Sequence, residues 1–296
     1  MTAQLCLTPI GRHRASSLHY TPAGAPLHFY HANGFGAACY QPFLQRIAPH
    51  YTVSALDMRP LWPTAPQPDR RFGWAQYADD LIAWLDATAT GPTLAVAHSM
   101  GAAATAMAAL KRPDLFSGLV LIEPSGIPRR LVLMMRLLPY DVRLRLGPAK
   151  ELHSRPGHWP DTDSLYREFR ANRAYRRFSD DRLHQLVLAL TEAGDMGRHL
   201  RFPLAWEAHN YASPAEILPV LKRLAVPTRI IAAKPSLFLD PAILARLQKA
   251  RPDLPVTHLP EHGHLLPLEA PEVAADKVLA ALGDLSRGAA SATNAA

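Results

Sequence analysis

Residues 93–110 read Thr-Leu-Ala-Val-Ala-His-Ser-Met-Gly-Ala-Ala-Ala-Thr-Ala-Met-Ala-Ala-Leu. A short apolar run, 94–97, reaches Ser99 and passes straight into an alanine-rich helical stretch with no room for a loop. A chain that turns so sharply crowds its own backbone, so the positions two before and two after the serine must be tiny. They are Ala97 and Gly101. The turn lifts the hydroxyl clear of the strand ends, and it aims the amide of Met100, at the helix start, at whatever reacts with Ser99. That is the setting of a nucleophile. Ala97 departs from the glycine more usual at its position, and a serine that merely caps a helix would read the same locally.

A serine hydroxyl attacks well only when a neighbouring imidazole can take its proton. The best source is the string Pro260-Glu-His-Gly-His-Leu-Leu-Pro-Leu-Glu-Ala-Pro-Glu272, which follows a late apolar run and leads into the last helix. His264, after Gly263, is the expected base, with His262 as its competitor among the chain's 14 histidines. Acyl transfer also needs two fixed donors for the oxyanion. One is the Met100 amide. The other is expected from Asn33 N–H in His31-Ala-Asn-Gly-Phe-Gly36, where small residues let backbone approach a ligand. Asn-Gly is equally a turn signal without any ligand.

These residues need elements to hold them. Apolar runs at 27–31, 51–57, 93–98, 119–123, 228–232 and 256–259 alternate with helical stretches at about 40–49, 74–88, 100–111, 214–224, 240–250 and 271–285. That alternation predicts an α/β fold with a mostly parallel sheet flanked by helices, where ligands gather at the carboxyl ends of the strands. The rhythm breaks over 125–213, which shows helical spacing, several prolines and no strand pattern. The expected organisation is a core of 1–124 and 214–288, a helical insertion over 125–213, and a disordered tail at 289–296 rich in Ala, Ser and Thr.

Together, His31-Ala-Asn-Gly-Phe, Asp57-Met-Arg59, Ala97-His-Ser-Met-Gly101, Leu121-Ile-Glu-Pro124 and Gly263-His264 with Glu269-Ala-Pro271 resemble the α/β-hydrolase family. The pairing of His-Ala-Asn-Gly-Phe with His-Ser-Met-Gly resembles a sparsely characterised bacterial branch of it. The resemblance covers the core on both sides of the insertion and implies the α/β-hydrolase fold with the insertion as a helical cap that sets specificity. It also implies a Ser-acid-His triad. The family usually carries an Asp just after the strand matched by 228–232, but 233–236 read Ala-Lys-Pro-Ser, and Ser236 cannot orient an imidazolium by charge. Some capped relatives place the acid at the position resembling Glu123, which becomes the expected acid. Asp240 is the alternative, although before Pro241 it is also a natural helix cap. A site with no acid stays open.

The cap begins Arg129-Arg-Leu-Val-Leu-Met-Met-Arg-Leu-Leu138, an apolar stretch that suits either a hydrocarbon-like ligand or ordinary packing. Residues 166–182 read as one arginine-rich helix, and Trp206 in Trp-Glu-Ala-His-Asn210, with Phe35 and His98, is expected to contact substrate. Asp57 reads as a loop tie, and Asp79 and Asp80 as an exposed helix face. Residues 129–182 hold 13 Lys or Arg against 7 Asp or Glu, enough to attract an anionic group, or simply a solvated surface.

The net charge of +7 is not organised as basic runs interleaved with aromatics, so nucleic acid is not an expected partner. Two distant cysteines without metal-ligand spacing indicate neither a disulfide framework nor a zinc site, and no run reaches ~18 apolar residues. The expectation is a soluble cytoplasmic serine hydrolase without cofactor or metal, cleaving an ester or thioester of a hydrophobic acyl group through an acyl-enzyme. Carbon-carbon bond hydrolysis, acyl transfer on the same machinery, or a non-catalytic ligand-binding relative are the alternatives.

Overall fold

Each of the apolar runs becomes a strand; in the central ones β-branched and aliphatic residues covered on both faces leave the backbone ladder as the place for the polar groups, while Val256–Leu259 forms a half-exposed edge. The computed structural model describes residues 2–21, 24–195, 197–236 and 238–293. In chain order its strands are β1 (Gln4–Ile10), β2 (His13–Tyr20), β3 (Pro26–Tyr30), β4 (Thr52–Leu56), β5 (Thr93–His98), β6 (Phe116–Ile122), β7 (His158–Trp159), β8 (Thr191–Gly194), β9 (Gly197–Leu200), β10 (Thr228–Ala233) and β11 (Val256–Leu259). Eight of them form one sheet in the order β1-β2-β4-β3-β5-β6-β10-β11. Pairing is parallel from β4 through β11, while β1 and β2 add an antiparallel edge.

The β1–β2 hairpin has no apolar run to announce it. Its turn rests on Gly11 at φ 56°, and β2 buries Ser16 and Ser17 beside Ala15. Alternation of side chains along β5 divides the interior: Leu94 and Val96 join one core with Phe29, Phe43 and Val278, while Ala95 and Ala97 join the other with Trp84 and Leu81. The helix Met100–Lys111 packs flat on the second face because Ala102, Ala103, Ala104, Ala106 and Ala108 are all buried.

Asp80 does not lie on an exposed face. It is 2% exposed and receives Arg59 Nε at 2.9 Å, Arg59 Nη2 and Gln76 Nε2, because helix Trp74–Thr88 turns that side inward; Asp79 is the exposed member and pairs with Lys111. The segment between β6 and helix Leu218–Arg223 is not purely helical either. Its helices Arg129–Leu137, Tyr140–Arg143, Gly147–His153, Thr162–Ala171, Asp180–Leu190 and Leu204–Ala212 are joined by a small antiparallel sheet, β7-β9-β8. The expected single helix over 166–182 is two, since Ser179 Oγ accepts Arg182 N–H and caps a fresh start at Asp180.

The final helix, Pro271–Thr293, carries the backbone through 289–293, where a structureless tail was expected; 294–296 lie outside the described residues. Among the described residues no helix is long and apolar enough to cross a membrane.

Candidate active site

Ser99 joins β5 to helix Met100–Lys111 at φ 55°, ψ −119°, a backbone region that side chains other than glycine rarely occupy. The neighbouring packing shows why the turn holds. A side chain on Gly101 would begin 2.3 Å from the carbonyl oxygen of His31, and Ala97 is wholly buried. A larger residue at either place would push the serine off its perch.

The hydroxyl of Ser99 meets Nε2 of His264 at 2.8 Å, and Nδ1 of His264 meets Oε2 of Glu123 at 2.9 Å. These partners assign the protons. A carboxylate only accepts, so Nδ1 carries hydrogen, Nε2 is left to accept, and Ser99 donates to it. Ser125 Oγ, 2.9 Å from Ser99 Oγ, is then the donor in that contact. The imidazole is held flat by the ring of Phe238, whose centroid is 4.5 Å away at an interplanar angle of 28°. Its loop is tied by Glu269 Oε1, which accepts the Gly263 amide at 2.6 Å. His262, the competing base, faces Glu269 and Glu261 rather than Ser99.

Glu123 stands one residue beyond β6, at φ 47°. Its own amide still pairs with Ile231 of β10, and its carboxylate then replaces the missing next rung by accepting the amide of Ala233 at 2.6 Å. One oxygen is held by the sheet and the other faces the histidine. The alternative acid is occupied elsewhere: Asp240 Oδ1 accepts the Ala242 amide at 2.7 Å as the cap of helix Pro241–Ala250. Ser236 receives the amides of Phe238 and Leu239 and so builds the turn that presents Phe238.

The amides of Asn33 and Met100 have no backbone acceptor among the described residues, and both residues line the cavity that contains Ser99. The side chain of Asn33 is spent on structure: its oxygen accepts from Asn210 at 2.8 Å and its nitrogen donates to the backbone of Glu207 at 3.2 Å. Asn210 in turn accepts from Tyr77 at 2.9 Å. Helix Leu204–Ala212 is thereby wired to the loop after β3. Below that loop, His31 donates from Nδ1 to Ala32 O and accepts the Met58 amide at Nε2, 2.8 Å in each case; burial pushes its pKa down to about 4. Asp57 accepts the Ala37 amide and the Ser16 hydroxyl, and burial raises its pKa to about 6.

Of the residues expected to touch substrate, Phe35 lines the cavity, whereas His98 and Trp206 do not. His98 is completely buried beneath the site. It accepts from Tyr40 at Nδ1 and donates from Nε2 to the carbonyl of His264, both at 2.7 Å. Trp206 sits in the core with Phe72 and His209 and donates to Pro66 O at 2.9 Å. The same helix instead turns Glu207 and Tyr211 to the cavity. Helical spacing alone left that choice of face open, and it was decided by the indole finding Pro66 far away in sequence.

The cavity over Ser99 encloses about 1180 Å³. Ile127, Leu131, Met134, Met135 and Leu146 form an apolar wall, and Arg173, Arg176, Arg177 and Lys234 bring positive charge to its lining. Tyr40, Ser125, Glu207 and Phe238 are site residues that the sequence motifs did not reveal.

The alpha/beta hydrolase family model matches residues 27–277 of this chain. Over 258 residues the chain is 25% identical to 2-(acetamidomethylene)succinate hydrolase of Mesorhizobium japonicum, covering 85% of each. A crystal structure of E-2-(acetamidomethylene)succinate hydrolase matches with a TM-score of 0.79 at 21% identity, over 95% of this chain and 100% of that one. A thioesterase domain from the curacin biosynthetic pathway matches at 0.72 and 18% identity, over 94% and 100%. With its mostly parallel sheet, its flanking helices and a match over most of its length, the chain belongs to the alpha/beta hydrolase family and is a hydrolase.

Proposed function

We propose that this protein is a serine hydrolase that cleaves a carboxylic ester, thioester or related acyl bond through an acyl-enzyme on Ser99. The observation that carries the reading is the unbroken hydrogen-bonded line from Ser99 through His264 to Glu123 on the floor of the cavity. Ser99 gives its proton to Nε2 of His264 as it attacks the acyl carbon. Glu123 stabilises the imidazolium so formed and keeps its tautomer. The oxyanion takes the unengaged amides of Asn33 and Met100, which are already in place and need no reorganisation. His264 then returns the proton to the leaving group, and a water activated by the same imidazole releases the acid.

The substrate is a small acyl compound with an apolar portion against Leu131, Met134 and Met135 and an anionic group toward Arg173, Arg176, Arg177 and Lys234. The relative from Mesorhizobium japonicum is named for a succinate derivative, which supports the anionic part of this reading.

A fluorophosphonate probe tests the nucleophile. Wild-type protein labels and Ser99→Ala does not; equal labelling of the two, or none of either, overturns the reading. A series of nitrophenyl esters tests the pocket, where preference for acetate over every longer acyl group contradicts the apolar wall.

A further inference from the structure

Glu207 lines the cavity and takes no part in the proposed chemistry. Helix Leu204–Ala212 projects its side chain over the loop that carries Asn33, so that a side chain on Gly34 would begin 2.6 Å from both Cδ and Oε1 of Glu207. Gly34, at φ 79°, has no such side chain, and the carboxyl group lies flat in the space left. No donor among the described residues forms a hydrogen bond to either carboxyl oxygen. The charged group that influences it, Arg155, is committed to Glu168 at 2.7 Å and lies over the rings of Trp159 and Phe169.

Structure does not require an acid here. The helix is attached to the oxyanion loop by the backbone carbonyl of Glu207 and by Asn210, and to the core by Trp206. Glu207 is half-buried and lines the same cavity as Ser99, so its carboxyl group is an acceptor open to whatever occupies that cavity, and a bound ligand that replaces water there must supply a donor to it. Burial also holds its pKa up, to about 7.

We infer that Glu207 is a substrate-recognition residue that accepts a hydrogen bond from a neutral N–H or O–H group of the bound acyl compound, held against Gly34 beside the oxyanion site. A cationic donor is disfavoured because Arg173, Arg176, Arg177 and Lys234 line the same cavity. These charges attract a carboxylate, so the ligand class is a carboxylate that also carries an amide or hydroxyl donor. This deepens the proposed hydrolase function and rests on the same cavity.

The test separates recognition from catalysis. In a Ser99→Ala background, calorimetry compares N-acetylglycine, N-acetyl-β-alanine and N-acetyl-4-aminobutyrate with levulinate, 5-oxohexanoate and 6-oxoheptanoate, in which CH₂ replaces the N–H. At least one amide is expected to bind roughly tenfold more tightly than its ketone. Glu207→Leu abolishes that preference, and Glu207→Gln, which keeps an acceptor, weakens it. No preference in any pair, no binding of any amide, or an undiminished preference in both Glu207 variants overturns the inference. Fluorophosphonate labelling in the Ser99-intact Glu207 variants reports folding. If Leu at that site prevents folding, the Gln variant decides. Loss of labelling in otherwise wild-type protein, with the amide preference intact, would sink the hydrolase reading and leave recognition standing.

Discussion

Glu123 and His264, 141 residues apart in sequence, are joined by a 2.9 Å hydrogen bond whose geometry is set by the end of one strand and the start of the loop after another. The carboxylate cannot swing away, because its other oxygen holds the amide of Ala233. Replacing Glu123 by Gln keeps the shape and removes the charge that supports the imidazolium. We expect kcat to fall roughly 10²- to 10⁴-fold on an activated ester. Asp240→Asn, which alters only a helix cap, leaves kcat within about twofold and lowers stability by no more than ~1 kcal/mol in denaturant titrations. The opposite ranking would move the acid to Asp240.

A second line of contacts runs under the site. The Ala32 amide donates to the hydroxyl of Tyr40, Tyr40 donates to His98 Nδ1, and His98 Nε2 donates to the carbonyl of His264. The line works only while His98 is neutral, and burial pushes its pKa down to about 3. It links the loop that carries Asn33 to the loop that carries His264. Tyr40→Phe orphans a donor on one side and an acceptor on the other, so kcat should fall about tenfold while KM changes little. A change confined to KM would show that the line does not position the catalytic groups.

Stability should depend on pH through His28. It is wholly buried beside Tyr30 and Trp84, neither ring nitrogen has a well-formed partner, and only a poorly aligned approach to the Ser54 backbone offers relief. Burial lowers its pKa from 6.5 to about 3. The unfolded chain therefore binds a proton that the folded chain refuses, and stability is lost as pH falls below 6.5, until the folded group itself titrates. Against His28→Leu, the wild type should lose about 3 kcal/mol between pH 8 and pH 4 in paired urea titrations. Parallel curves for the two proteins would refute this.

The buried pair of Arg59 and Asp80 makes a separate demand on folding. Asp80→Ala leaves a guanidinium 8% exposed with no carboxylate partner. The expected loss is roughly 3–5 kcal/mol, read as a lower urea midpoint. A loss below 1 kcal/mol, the usual value for a surface pair, would mean that water reaches Arg59.

The legible part of this protein was local. The strand, turn and helix around Ser99 are written in consecutive residues, because only Gly fits where the His31 and Tyr30 carbonyls crowd position 101, and the small Ala97 is wholly buried two residues before the serine. The central strands were legible too, as both faces are covered and apolar residues therefore run on without alternation. The β1–β2 hairpin and the small β7-β9-β8 sheet lack that signature. Their residues are half polar, and their pairing depends on partners rather than on propensity.

From the sequence alone, Ser99, His264, Asn33 and Met100 could be singled out as candidates, because each is marked by its immediate neighbours, and the family resemblance made Glu123 the expected acid with Asp240 as the alternative. Tertiary structure decided which of the two carboxylates meets His264, which faces Trp206 and Glu207 take, and that Asp80 is buried. The physical reason is common to all of these. A carboxylate or an indole is recognised by what surrounds it in space, and for Glu123, Glu207 and Trp206 those surroundings come from chain segments that the local sequence does not contain.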